Sequence, residues 1–305
     1  MRGWKEIPAR QPLPRPPATE QAAAGDGPAS AGPAFTPREP LRTMSDLVVP
    51  RSVRDRIDLA LSQVDNHEIL YQHWNLKKID PYRAGTALNF YGPSGTGKSL
   101  AAEAVASHRG QPFIEVSYAE IESRYVGDTP KNIEACFRQA AAHNAVLVFN
   151  EADSILGSRL SNVTQSADHS VNVSRAVMLS QLDAFGGLVV FTTNFPRNYD
   201  AAFVRRILVH VQFDLPDEAT RHALWQALIP AELPRAEPLD LALLAASAAG
   251  LSGGDMVNVV KAAASLAVTR PGPARVLRAG DLLAEIAAVR QAKAEVGGYR
   301  GSRPS

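Results

Sequence analysis

Several features that mark particular classes of protein are scarce in this chain of 305 residues. Its one cysteine, Cys136, excludes an intramolecular disulfide and suits a reducing compartment. No apolar run approaches the ~20 residues that cross a membrane, and the proline-rich N-terminus has no signal-peptide pattern. We therefore expect no membrane span and a cytoplasmic location. The many alanines and the excess of arginine over lysine are also typical of a GC-rich bacterial genome.

An excess of charge of either sign is also lacking, since 32 Lys and Arg stand against 31 Asp and Glu. Proteins that bind nucleic acid through a basic surface carry a clear excess of basic residues. We therefore expect no nucleic-acid partner. Hydrophobic residues make up 45% of the chain, which indicates an ordinary globular protein.

Aliphatic residues are nearly absent from the first 44 positions, which are rich in proline, alanine, glycine and charged side chains. Such a segment buries too little apolar surface to offset the conformational entropy lost on ordering. We predict a disordered arm over 1–44 and a disordered tail over 296–305. Two interpretations of the arm stay open: a featureless leader, or a segment that recruits a partner or a substrate.

Between these ends, short apolar runs alternate with helical patterns, which is typical of a parallel α/β sheet with helices on both faces. The predicted strands are Thr86–Tyr91, Phe113–Val116, Ala145–Phe149, Leu188–Thr192 and Leu208–Phe213. Beyond residue 216 only helical patterns occur, divided by proline and glycine. The sequence therefore predicts an α/β core over 45–216, followed by a small all-helical lid subdomain over 217–295.

A glycine-rich loop stands between the first predicted strand and a predicted helix. It reads Gly92-x-x-x-x-Gly97-Lys98-Ser99, which is the Walker A pattern of a P-loop sheet. Glycines let backbone amides turn toward phosphates, and the helix N-terminus adds positive potential. We expect Lys98 to reach the β- and γ-phosphates of ATP, and the Ser99 hydroxyl to ligate Mg²⁺. The predicted nucleotide-binding residues of the loop are Gly92, Pro93, Ser94, Gly95, Thr96, Gly97, Lys98, Ser99 and Leu100.

A second phosphate motif follows the apolar run Ala145–Phe149. Its two polar positions are Asn150, where an aspartate ordinarily holds the Mg²⁺ shell, and Glu151, which remains available as a general base. An amide can hydrogen-bond a metal-bound water but brings no negative charge to a divalent cation. We therefore predict Ser99 and Asn150 as metal-site residues, with weakened Mg²⁺ binding. Asn150 as a mere strand-end cap is the alternative.

These motifs resemble those of the AAA ATPases over roughly residues 46–295. The run Leu188–Asn194 is similar to the first sensor strand of that family, in which the terminal asparagine positions the hydrolytic water. Tyr199–Arg206 resembles the segment that carries arginine fingers. The resemblance implies an ATPase with Lys98, Glu151, Asn194, Arg205 and Arg206 as catalytic residues.

The same resemblance implies an assembly. Arginine fingers of the family reach the γ-phosphate on the adjacent subunit, so Arg205 and Arg206 imply a homo-oligomeric ring, usually a hexamer. Without the family, two such arginines would indicate a solvated basic patch or a salt bridge. The run Gly250–Asp255 resembles the second sensor, with Gly254 approaching the adenosine; it is also a helix start with Ser252 or Asp255 as cap.

The substrate is indicated only by Tyr125-Val126-Gly127, which is similar to the aromatic pore loop with which family members grip an extended polypeptide. A half-buried loop residue is the alternative for Tyr125. We predict a motor that remodels proteins by threading a polypeptide substrate, presented directly or by an adaptor, through a central pore. Two alternatives stay open: an ATP-binding assembly protein with weak hydrolysis because of Asn150, and a nucleic-acid motor, which the near-neutral charge disfavours.

Overall fold

The computed structural model describes residues 35–79, 85–121, 128–157, 166–194 and 199–298. Most of the predicted arm and the last residues of the predicted tail lie outside these ranges. So do Tyr125, Val126 and Gly127 of the predicted pore loop.

In the described ranges the sheet has five parallel strands, as the alternation of apolar runs predicts. They are β1 (Thr86–Tyr91), β2 (Phe113–Ser117), β3 (Val146–Asn150), β4 (Leu188–Thr193) and β5 (Ile207–Gln212). Their spatial order is β2-β3-β4-β1-β5, so β4 lies between β3 and β1. The carboxyl ends of β1, β3 and β4 therefore meet at one edge of the sheet, where parallel α/β folds bind ligands.

Helices cover both faces of the sheet. They are α1 (Arg51–Asp65), α2 (Lys98–His108), α3 (Tyr118–Ile121), α4 (Asp128–Ala142), α5 (Asp153–Leu156), α6 (Ser166–Ala184) and α7 (Ala201–Arg206). A short π-helix, Ile69–His73, and a 3₁₀ turn, Leu76–Lys78, follow α1. One apolar core lies under α4 and α6 around Phe137 and Phe149; the other lies under α1 and α2 around Leu88 and Phe90. Alanines on α2 allow the helix to approach the strands closely.

Among the described residues, four α-helices and a short 3₁₀ helix (Gly272–Ala274) follow the last strand. The α-helices are α8 (Glu218–Leu228), α9 (Leu241–Ser247), α10 (Gly253–Val268) and α11 (Ala279–Gly298). Asp217, Asp240 and Ser252 start the first three of them by accepting hydrogen bonds from backbone amides of the first turn. These helices enclose an apolar core of their own around Trp225. Among the described residues, no helix is both long and apolar enough to cross a membrane.

The segment that precedes α1 packs against the sheet. Phe35 is only 8% exposed, and the backbone of Arg38 exchanges two hydrogen bonds with that of Phe113 on the edge strand β2, at 2.8 and 2.9 Å. The Glu103 carboxylate accepts hydrogen bonds from the amides of Leu41 and Arg42. Among the described residues, packed structure therefore includes 35–44, the last ten positions that the sequence assigned to the arm. The aromatic ring of Phe35 supplies apolar surface, which the average composition of residues 1–44 did not indicate.

Candidate nucleotide-binding site

The phosphate loop owes its shape to backbone conformations that favour glycine. Gly92, Gly95 and Gly97 have φ angles of +140°, +75° and +100°, which side-chain-bearing residues rarely adopt. At Gly92 a Cβ atom would lie 2.0 Å from the carbonyl oxygen of Phe213, so no side chain fits there. The loop leads from β1 directly into α2, and Lys98, Ser99 and Leu100 of its first turn line the cavity beyond β1. The first amides of a helix have no hydrogen-bond partner within it. This is the geometry that anions such as phosphates require.

Lys98 stands at the first position of α2, with its ammonium group held inside the loop. Its Nζ donates hydrogen bonds to the carbonyl oxygens of Gly92 and Pro93, both at 2.8 Å. Burial lowers the pKa of Lys98 to about 8, although the charge of Asp153 acts in the opposite direction. The residue is 7% exposed, so a bound anion would meet a largely desolvated cation.

A cavity of about 630 Å³ opens above the phosphate loop, a volume typical of small-molecule sites. At one end it is lined by the loop and by Asn150, Glu151 and Asn194. The other end is mainly apolar and is formed by Leu47, Val48, Val49, Pro50, Leu224, Ala227, Leu228 and Val257. Polar groups for a triphosphate at one end and aliphatic side chains for a base at the other fit a nucleotide such as ATP.

The aliphatic end was missed in the sequence. Part of it comes from the run Leu47-Val48-Val49-Pro50, immediately before α1. In the sequence this run has the pattern of a short β-strand that ends at a proline. The lid contribution, Leu224 and Leu228, follows the i, i+4 spacing of any amphipathic helix. Such spacing does not distinguish a ligand-facing residue from a core residue.

Asn150 ends β3 beside the hydroxyl of Ser99. Its Oδ1 accepts hydrogen bonds from Ser99 Oγ at 3.2 Å and from Thr192 Oγ1 at 2.8 Å. Its Nδ2 donates to the carboxylate of Glu115. The described residues contain no group of three or more His, Cys, Asp or Glu side chains that could hold a metal ion by themselves. The oxygen donors present suit Mg²⁺, which binds through few protein ligands together with waters and substrate phosphates.

Glu151 is exposed and lies next to this oxygen cluster, with a φ angle of +53°. A left-handed backbone costs a residue with a side chain on the order of 1–2 kcal/mol, and such conformations cluster at functional sites. The following amide, that of Ala152, donates to the carbonyl oxygen of Thr192 at 3.0 Å and holds the turn in place. Asn194 directly follows β4 and also lines the cavity. Its backbone amide donates to Asp153 Oδ2 at 3.4 Å.

Arg205 and Arg206 stand apart from this cavity and line a small depression of about 80 Å³. Arg206 forms a two-pronged ion pair with Asp183, at 2.8 and 2.7 Å, and donates to the carbonyl oxygen of Ala202. The hydrogen bonds from Arg206 to Asp183 raise the pKa of its guanidinium, against a smaller effect of burial. Arg205 is exposed. The two predicted fingers therefore have different surroundings within their own chain.

Gly254 joins the C-terminal helices to the phosphate loop. Its amide donates to the Gly95 carbonyl at 2.9 Å, and a Cβ atom on Gly254 would lie 3.2 Å from the Cα of Gly95. Ser252 and Asp255 cap α10 reciprocally, and the Asp255 carboxylate also pairs with Lys293. The run Gly250–Asp255 is thus a helix cap that contacts the phosphate loop.

The family model described as "ATPase family associated with various cellular activities (AAA)" matches residues 88–215. These residues contain all the predicted phosphate-site positions that precede the C-terminal helices. Curated proteins are similar over a longer stretch. Katanin p60 ATPase-containing subunit A1 of Strongylocentrotus purpuratus is 32% identical over 191 residues, which is 59% of this chain and 36% of that protein.

Spastin of Drosophila willistoni is 36% identical over 191 residues, which is 58% of this chain and 23% of that protein. The cell division cycle protein 48 homolog of Archaeoglobus fulgidus is 32% identical over 240 residues, which is 77% of this chain and 31% of that protein. The chain spans between about a quarter and two fifths of the length of these relatives. The fold, the phosphate loop and the matching family model together show that this chain carries an AAA module over residues 88–215.

Proposed function

We propose that this chain binds Mg²⁺ and ATP in the cavity above the phosphate loop and hydrolyses the terminal phosphoanhydride bond. The observation that carries the proposal is the convergence of Lys98, Ser99, Asn150, Glu151 and Asn194 at one end of that cavity. Mg²⁺ and the phosphates supply the charge neutralisation and the electrophile when they are bound. The chain supplies the groups that hold and activate them.

Each of these groups has one role. The ammonium group of Lys98 stabilises phosphate charge, while Ser99 Oγ and Asn150 Oδ1 face the metal shell. Glu151 accepts a proton from the attacking water, and Asn194 orients that water. Asn150 brings no charge, so hydrolysis is expected to be slower than with an aspartate at the same position.

Arg205 is proposed to complete the site of a neighbouring copy of this chain in a ring, a hexamer by family resemblance. Arg205 is exposed at the end of α7, whereas Arg206 is only partly exposed. We assign to Arg205 the contact with the neighbouring nucleotide. The paired Arg206 keeps α7 in place and adds positive charge behind it.

The mechanical task is proposed to be remodelling of protein substrates, which Tyr125, Val126 and Gly127 would grip in the ring's pore. The similarity to katanin p60, spastin and the cell division cycle protein 48 homolog supports this class of AAA module. A nucleotide-dependent assembly protein with slow turnover is the second candidate, favoured by Asn150. A bacterial origin and a cytoplasmic location stay predictions from composition.

A complementation experiment tests ATP hydrolysis and the shared site together. Glu151→Gln and Arg205→Ala should each lower steady ATP turnover about 10²-fold or more while ATP binding persists. In a mixture of the two variants, an intact Glu151 of one subunit can meet an intact Arg205 of the other. Part of the wild-type turnover should therefore return on mixing.

Arg235→Ala is the matched control, because this exposed arginine lies in the C-terminal helical region. It should leave turnover unchanged. Full activity of Glu151→Gln would remove Glu151 from the base role. If both single variants are inactive and the mixture stays inactive although the subunits assemble together, the shared site is rejected. Wild-type protein that assembles with ATP but does not hydrolyse it would support the second candidate.

A further inference from the structure

Glu115 is an acidic residue whose carboxylate contacts the side chain of Asn150, and no sequence motif draws attention to it. It lies on β2, where Glu115 pairs with Val148 of β3 and Ser117 pairs with Asn150. Its carboxylate reaches along the neighbouring strand and accepts a hydrogen bond from Asn150 Nδ2. The side chain is 33% exposed, so this bond is only partly screened by water.

This contact determines which way the Asn150 amide points. An ionised carboxylate can only accept hydrogen bonds, so it must face the NH₂ group of Asn150 and never the carbonyl oxygen. Oδ1 is therefore turned toward Ser99 and Thr192, whose hydroxyls donate to it. The side of Asn150 that faces the proposed metal shell is thus an oxygen, as Mg²⁺ requires.

The same contact changes the charge on that oxygen. A hydrogen bond to an ionised acceptor is stronger than one between neutral groups, and bonds in a chain polarise one another. Donation from Nδ2 to Glu115 draws the amide toward its charge-separated form and adds negative charge to Oδ1. Asn150 then resembles an aspartate more closely than an isolated amide does.

Arg38 occupies the second oxygen of Glu115, with its guanidinium 5.2 Å from the centre of the Phe113 ring. The backbone bridge between Arg38 and Phe113 fixes this arginine beside β2. Arg38 thereby anchors the carboxylate while leaving the first oxygen to Asn150. The contacts form one line from the sheet edge to Ser99 through Arg38, Glu115 and Asn150.

We propose that Glu115 is a positioning residue for the Mg²⁺ site: it turns Asn150 Oδ1 toward the metal shell and polarises it, while the ion pair with Arg38 balances part of the carboxylate's own charge. The inference rests on the proposed Mg²⁺-dependent binding of ATP. It also alters the expectation for Asn150→Asp, which from sequence alone should simply tighten Mg²⁺ binding. Beside Glu115 that substitution places two carboxylates in contact, and their repulsion opposes the gain.

The two positions can be exchanged without losing a hydrogen bond. In the double variant Glu115→Gln/Asn150→Asp, the new amide can donate to the new carboxylate and accept from Arg38. The carboxylate at position 150 still accepts from Ser99 and Thr192. Charge and hydrogen bonding are preserved, and only the location of the charge changes.

The experiment titrates Mg²⁺ into the complex of each variant with a fluorescent ATP analogue, and measures binding of the same analogue in EDTA. Glu115→Gln should weaken Mg²⁺ binding about tenfold and leave binding in EDTA nearly unchanged, because the lost bond is to a charged group. The double variant should return to wild-type Mg²⁺ affinity or exceed it. Asn150→Asp alone should bind Mg²⁺ less tightly than the double variant.

Glu232→Gln, at an exposed site among the C-terminal helices, is the matched control and should change neither quantity. Unchanged Mg²⁺ affinity in Glu115→Gln would overturn the inference, and so would equal affinities of Asn150→Asp and the double variant. Thermal unfolding of each variant shows whether it is folded. Wild-type Mg²⁺ affinity in the double variant would also exclude misfolding as the cause of the weaker binding in Glu115→Gln. Wild-type protein that binds the analogue with no effect of Mg²⁺ would instead overturn the proposed function.

Discussion

The polar end of the cavity has a phosphate half and a metal half, and the two differ in how much backbone and how many side chains they use. The phosphate half is shaped mainly by backbone, with three glycines of positive φ and the first turn of α2, and Lys98 adds a buried charge. The metal half consists of side chains from α2, β2, β3 and β4 that contact one another through hydrogen bonds. A backbone site tolerates little change at the positions that shape it. A side-chain site can hold the same charge at one of two neighbouring positions.

The largest effect is expected from a substitution that disrupts the phosphate half. Gly92→Ala places a Cβ atom against the carbonyl oxygen of Phe213 in a backbone conformation that is already strained for alanine. Steric overlap and positive φ together should cost about 3–5 kcal/mol of unfolding free energy. Binding of ATP should be lost as well. Chemical denaturation and nucleotide titration measure the two effects.

Gly110→Ala is the matched control, because Gly110 also has a positive φ (+61°) but nothing lies within 4 Å of its added Cβ. It should cost about 1–2 kcal/mol, from the left-handed conformation alone. ATP binding should be retained. Equal destabilisation by both substitutions would show that the contact with Phe213 does not dictate the shape of the loop.

An intermediate effect is expected on the pH dependence of ATP binding, because the ammonium group of Lys98 is buried in the phosphate half. The pKa of Lys98 is lowered to about 8, so its ammonium group loses its proton as the pH rises through that value. Binding of metal-free ATP requires the ammonium form. The apparent Kd should therefore rise about tenfold from pH 7 to pH 9, in proportion to the fall in the protonated fraction.

Lys98→Arg separates this titration from other effects of pH, because a guanidinium stays charged throughout the range. Its absolute ATP affinity is expected to differ from that of the wild type, but the ratio of its Kd values at pH 7 and pH 9 should be close to one. A tenfold loss in both proteins would assign the pH dependence to a different group.

The smallest effect concerns the metal half. Thr192→Val removes one of two hydroxyl donors to Asn150 Oδ1 and preserves the branched shape in β4. The loss should weaken Mg²⁺ binding by about two- to tenfold, the range of one hydrogen bond. Thr192→Ser keeps the donor and should retain most of the affinity. Equal effects of valine and serine would mean that packing, and not the hydroxyl, matters here.

The same contrast explains what could be predicted from the sequence. The parallel sheet followed from apolar runs with helices between them, and the phosphate loop followed from the spacing of Gly92, Gly97 and Lys98. Both signals are local, since a strand or a turn is encoded by neighbouring residues. The extra residues of the metal half, Glu115 and Thr192, were missed because only the strand order brings them to Asn150.

The two arginines are a second case in which the sequence does not predict a long-range contact. Arg205 and Arg206 are adjacent in sequence, and the resemblance assigned them one role jointly. Their difference depends on Asp183 at the end of α6, more than twenty positions away, which binds Arg206. Sequence spacing carries no information about such a pairing.

The contact between Arg38 and Phe113 has a practical consequence for shortened forms of this protein. The strand β2 is at the edge of the sheet and carries Phe113, Ile114 and Val116. An uncovered edge strand of this composition invites pairing with other chains and aggregation. Truncation before Phe35 keeps the cover, whereas truncation at the start of α1 would remove it. Poor solubility of the second form would then reflect an open sheet edge together with the loss of Phe35 and Leu47 from the two apolar cores.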